Sequence, residues 1–117
     1  MKKLKYVCIK IAVLAAVFGA PNLANAQWYA NGTLHKATVG QWKFASYRNK
    51  LATAADWAAQ TSEAKRAVES SGKFSTLRPY AANLVTCVNE AAAGQGYETM
   101  RASEVAATCA VLMGWHK

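Results

Sequence analysis

Few side chains of this chain have both the type and the spacing that chemistry requires. Its two histidines, His35 and His116, stand far apart, and neither belongs to an H-x-x-x-H or H-E-x-x-H pattern. No metal or other cofactor is therefore expected, and both imidazoles read as surface groups. Hydroxyls are plentiful, yet no G-x-S-x-G elbow presents a serine to a base, so a nucleophilic triad is not expected. Asp56 lies between Ala55 and Trp57, where burial would shift its pKa. Acids in helices lie mostly on the polar side, and Asp56 is expected there. Glu90 and Glu98 flank a glycine-containing loop and could converge as a glycosidase pair, but they read better as solvated residues near helix ends. Gly94-Gln95-Gly96 is too short for a dinucleotide fingerprint and follows a helical pattern, not a strand. The expectation is a protein that is not an enzyme, with no catalytic residue.

The cysteines are more informative, and their meaning depends on the N-terminus. MKKLKYVCIK carries four lysines and no acid, and residues 11–20, IAVLAAVFGA, have no polar side chain. Pro21 and the tripeptide Ala24-Asn25-Ala26 follow. This is the order of a Sec-type export signal, with cleavage after Ala26. The apolar run is shorter than the ~20 residues a membrane span needs. Cys8 precedes the apolar run, which is not the place of a lipoprotein cysteine. Cleavage leaves a domain of residues 27–117 with two thiols, Cys87 and Cys109. An even pair in an oxidising compartment reads as a disulfide, and a metal or redox pair would want C-x-x-C spacing. The expected location is the periplasm of a bacterium or its exterior, with no stable membrane insertion after cleavage.

The formal charge of +8 comes from 14 basic and 6 acidic residues, but four of the lysines leave with the signal, so the exported domain carries +4. Its basic residues are spread along the chain without an aromatic-interleaved run, so no nucleic-acid partner is expected.

The elements that must position these residues are helical. Residues 27–37 look irregular, with a turn at Asn31-Gly32. Thr38 and Gln41 fit a capping box. The stripe Phe44, Tyr47, Leu51, Ala54, Ala55, Ala58 then predicts one helix to about Gln60, with Trp42 and Trp57 off the stripe. Thr61-Ser62-Glu63 interrupts it, or Ser62 caps a short surface helix that Ser70-Ser71-Gly72 stops. Ser75 or Thr76 caps the next helix, which has Pro79 in its first turn and the stripe Leu77, Tyr80, Ala81, Leu84, Cys87, Val88, Ala91, ending at Gly94. The last helix starts near Thr99 or Ser103 and ends before Gly114, with Val105, Ala106, Cys109, Leu112 and Met113 on its inner face. No alternating strand pattern competes. The fold class is all-α: a bundle of three or four helices, the two C-terminal ones joined by Cys87–Cys109.

Function is expected from the surface. Trp28, Tyr29, Trp42, Trp57, Tyr97 and Trp115 are many aromatics for one small domain. Trp28, Tyr29 and Trp115 are those the helix stripes explain least. They serve either as plugs over the bundle ends, the favoured role, or as contacts for a partner. Arg48 and Lys50 beside Tyr47 suit an acidic partner. The leading expectation is a small exported binding protein that holds, inhibits or scaffolds an exported or envelope protein, with a homodimer left open. The alternative is an apolar pocket, lined by Leu77, Leu84, Val105 and Leu112, for a small hydrophobic ligand. A cell-wall enzyme using Asp56 or Glu90 ranks third.

Overall fold

The computed structural model describes residues 27–115. The expected export signal, with Cys8, lies outside these residues, as does His116. The chain divides into two units, Met1–Ala30 and Asn31–Lys117. The described part of the first is a turn closed by a hydrogen bond from the Ala30 N–H to the Gln27 carbonyl, 3.0 Å.

The second unit holds α1 (Val39–Lys43), α2 (Tyr47–Ala58), α3 (Ser62–Ser71), α4 (Leu77–Ala93) and α5 (Ala102–Leu112), with a 3-10 turn, Phe74–Thr76, leading into α4. It is the expected helical bundle with one helix more, because the long first helix is broken. Thr38 forms the capping box of α1 as expected, its hydroxyl accepting from the Gln41 N–H while the Gln41 side chain accepts from the Thr38 N–H. Five residues on, the Ser46 hydroxyl accepts from the Asn49 N–H at 3.1 Å and starts α2 afresh. That restart shifts the helical phase and corrects the expected stripe. Trp42, placed off the stripe, is fully buried, whereas Phe44 is 90% exposed and Tyr47 55%.

α2 packs chiefly on α4, which also packs on α5. The buried side of α2 is broad, with Leu51, Ala52, Thr53, Ala54, Ala55 and Ala58 all inside. Thr53 can be there because its Oγ1 accepts from the Leu34 N–H at 3.2 Å, and a buried hydroxyl needs such a partner. The 31–38 segment lies so close to α2 at this point that a Cβ on Gly32 would stand 2.5 Å from the Thr53 nitrogen. Asn49 and Thr33 tie the same segment down by two hydrogen bonds of 2.8 Å.

α3 is a surface helix that buries only Ala64, and its cap is Thr61, not Ser62. α4 buries Leu77, Ala81, Leu84, Val85, Val88 and Ala92. Neither Ser75 nor Thr76 gives α4 a side-chain cap, since the 3-10 turn runs directly into it. Gly94 ends α4 in an extended conformation (φ −78°), and the left-handed residue of this loop is Gly96 (φ 93°).

α5 has no side-chain cap either; neither Thr99 nor Ser103 serves. Its start is instead bridged to the start of α1: the Val39 N–H donates to the Met100 carbonyl at 2.7 Å, the Gly40 N–H to the Glu98 carbonyl at 3.0 Å, and the Ala102 N–H to the Ala37 carbonyl at 2.9 Å. With the Gln41 N–H on the Thr38 hydroxyl and the Thr38 N–H on the Gln41 side chain, all four otherwise unpaired N–H groups at the head of α1 are satisfied.

Cys87 and Cys109 form the expected disulfide between α4 and α5, with Cα atoms 6.2 Å apart and a sequence separation of 22. In the chain-entropy model a loop of that length is worth about 3 kcal/mol. Beyond Leu112 the chain turns at Gly114 (φ 78°) and tucks Trp115 inward. Leu112, expected on the inner face of α5, is 78% exposed. It sits at the margin of the stripe formed by Val105, Ala106 and Cys109, and Trp115 fills the bundle end in its place.

Candidate functional site

The polar and aromatic residues that sequence placed apart come together on one side of α2. His35 Nε2 lies 2.7 Å from Asp56 Oδ2, with both side chains partly exposed. Asp56 is thus on the solvent side of its helix as expected, and it has a partner that no local pattern announces, 21 residues away. The His35 ring meets Trp57 edge-on at 6.3 Å, and Trp57 stacks on Trp42 at 5.6 Å. The Trp42 indole N–H donates to Asn89 Oδ1 at 2.8 Å, and Lys50 Nζ donates to the same oxygen at 3.1 Å. Lys50 also stands 5.8 Å from the centre of the Trp42 ring, within the range of a cation–π contact.

Among the described residues, two grooves matter to this scaffold. One, of about 480 Å³, runs between His35 and Trp57 on one wall and Ser103, Ala106, Ala107 and Ala110 of α5 on the other. A hydroxyl on this groove belongs to Thr61, which is committed to its own helix: it donates to the Ala58 carbonyl at 2.8 Å and accepts from the Ala64 N–H. The second groove, of about 370 Å³, lies over the disulfide and is walled by Tyr97, Met100, Val105 and Leu112, with Glu90 at its edge. The four residues expected to line a single apolar pocket are therefore separated. Leu84 lines the first groove, Val105 and Leu112 the second, and Leu77 is packed in the core.

Asp56 and Glu90 are likewise divided, the first paired with His35 and the second at the disulfide groove. Glu98 is exposed and its Oε1 accepts from the Gly96 N–H at 3.2 Å. Among the described residues no three of His, Cys, Asp and Glu gather as metal ligands, and no helix is long and apolar enough to cross a membrane. Among the described residues, the titrating group clearly displaced is Tyr80. Burial raises its phenol above the usual value of 10, and the charge of Glu63 and the hydrogen bond from Tyr80 Oη to Glu63 Oε2, 3.3 Å, raise it further.

The residues expected to touch a partner have different places. Trp28 and Tyr29 lie in the first unit and meet edge-to-face at 5.6 Å. Arg48 is exposed in the first turn of α2, beside Tyr47. Trp115 is a plug: it is buried, its ring meets Tyr80 at 4.9 Å, and its carbonyl accepts from the Glu63 N–H at the head of α3. Sequence reasoning missed Phe44 and Leu112, both assigned to inner faces. The signal for Phe44 was the Ala45-Ser46 pair, a serine able to cap a new helix four residues after Trp42.

No protein-family model, curated protein or solved structure matches the chain.

Proposed function

We propose that this is a small exported protein, led out by a signal over residues 1–26, that acts without catalysis by contact with another exported or envelope protein, which it holds, inhibits or scaffolds. The disulfide is compatible with a location outside the reducing cytosol. One observation carries the reading: half of the buried hydrophobic residues are alanines, while several large apolar side chains stand outside. Among the described residues, eleven of the 22 buried hydrophobic residues are alanines, while Phe44, Tyr47, Tyr97, Met100, Val111 and Leu112 are exposed. Burying a Phe or Leu side chain gains about 1.5–3 kcal/mol. A chain that leaves several outside forgoes that gain for the fold, and such side chains are the usual material of binding surfaces.

The test uses the purified exported protein as bait in envelope extract, beside a variant with Phe44, Tyr97, Met100 and Leu112 all changed to Ser. A specific protein retained by the parent and lost by the variant, with equal helical circular dichroism, is the expected result. No specific retention by the parent ends the reading.

A second reading is favoured by the larger groove, whose volume falls within the ~300–1,000 Å³ range of ligand pockets and whose lining is mainly apolar. There a small hydrophobic molecule would lie on Ala106 and Ala110 against Trp57. Native mass spectrometry of the purified protein separates the two readings: a bound small molecule supports this one, and a bare or dimeric species supports the first.

A further inference from the structure

The exported domain's charge is concentrated at one end of its sequence. Residues 27–55 contain Lys36, Lys43, Arg48 and Lys50 and no acid, whereas residues 56–117 contain all six acids and six bases. The whole net charge of +4 therefore resides in the first 29 residues. Within that stretch the turn between α1 and α2 presents Phe44, 90% exposed, and Tyr47, with Lys43 and Arg48 directly beside them and also exposed.

This turn is firmly held. Thr38 boxes the head of α1, Ser46 caps α2, and between them Trp42 is driven into the core, stacked on Trp57 and bonded to Asn89. Phe44 thus stands out from a fixed mount only two residues from a buried anchor. A backbone held in this way needs little further ordering on binding, which favours affinity.

We propose that the α1–α2 turn at residues 43–48 is the surface on which the partner docks, and that the partner is an acidic protein offering an apolar socket for Phe44 within an anionic rim. This rests on the protein-binding reading above and adds the face and the partner's chemistry to it. An aromatic with an adjacent Tyr and Arg is the composition of a protein hot spot. Adsorption to anionic lipid draws on clusters of about four to eight outward cations. Here two flank Phe44, and Lys50 is drawn back onto Asn89 and the Trp42 ring. Glu98, whose carbonyl accepts from the Gly40 N–H, lies at the opposite end of α1 from Phe44.

The experiment places a photo-crosslinking residue at position 44, at position 112 or, as a control, at position 70 of the full chain, produced and exported in its native host. Position 44 is expected to give a protein adduct whose crosslinked peptide is net negative. Lys43→Glu with Arg48→Glu is expected to lower that adduct on the order of tenfold at unchanged circular dichroism. A neutral or basic peptide, lipid adducts alone, or indifference to the charge reversal overturns the proposal. A protein adduct from position 112 and none from 44 overturns this surface while leaving the binding reading in place. No protein adduct beyond the control from either position removes both.

Discussion

Trp42 and Phe44 are two residues apart and have opposite fates, and the difference is local geometry rather than hydrophobicity. Trp42 reaches Trp57 and Asn89 because α1 ends where it does; Phe44, as the residue that caps α1, is left facing water. Gly32 shows the same sensitivity on the other side of α2. Gly32→Ala would force a methyl group against the Thr53 backbone, which cannot swing aside as a side chain end can. Urea denaturation should show a loss of about 1–3 kcal/mol, the usual range for overpacking. Tyr80 makes a prediction in pH. Its folded phenol holds the proton more tightly than the ordinary value of 10, chiefly through burial and then through Glu63. The stability this contributes is fully present below about pH 10, the unfolded phenol's range, and is lost as pH rises toward the folded value. Thermal melts of the parent and of Tyr80→Phe between pH 9 and about 11.5 should therefore differ, with the parent falling more steeply.

Among the elements, the break between α1 and α2 has the widest consequence. It adds a helix and sends an aromatic outward, and the Ser46 cap is what restarts the chain as α2. Ser46→Ala removes the side-chain acceptor for the Asn49 N–H and should cost about 1 kcal/mol, read from the denaturation midpoint. The other elements were largely legible in the sequence because their signals are local. The Thr38–Gln41 box, the stripe of α4 and the pairing of Cys87 with Cys109 all depend on near spacing or on a count of thiols. The head of α5 was not legible, because its N–H acceptor is the Ala37 carbonyl more than 60 residues earlier, and main-chain bonds leave no mark on side-chain pattern. The His35–Asp56 pair escaped for a related reason: the two share no element, and only the close approach of the 31–38 segment to α2 at Gly32 brings them together. Leu112 was misplaced because apolar periodicity runs past the point where the turn at Gly114 hands the bundle end to Trp115.

At the scale of the molecule, a core built half from alanine lets helices approach closely but buries little area per residue. The disulfide between α4 and α5 and the Trp115 plug compensate, one by restricting the unfolded chain and the other by filling the open end. Stability then comes from the interior, the staple and the caps, and in the proposed reading the large exposed side chains serve contact with a partner. That division is the claim on which the functional reading stands. Its most direct test is the equilibrium urea midpoint of the double variant Phe44→Gln, Leu112→Gln. A stability within about 0.5 kcal/mol of the parent, as for ordinary surface changes, is the result predicted. A loss of about 2 kcal/mol or more, as for core truncations, would contradict it, for those side chains would then be holding the fold together.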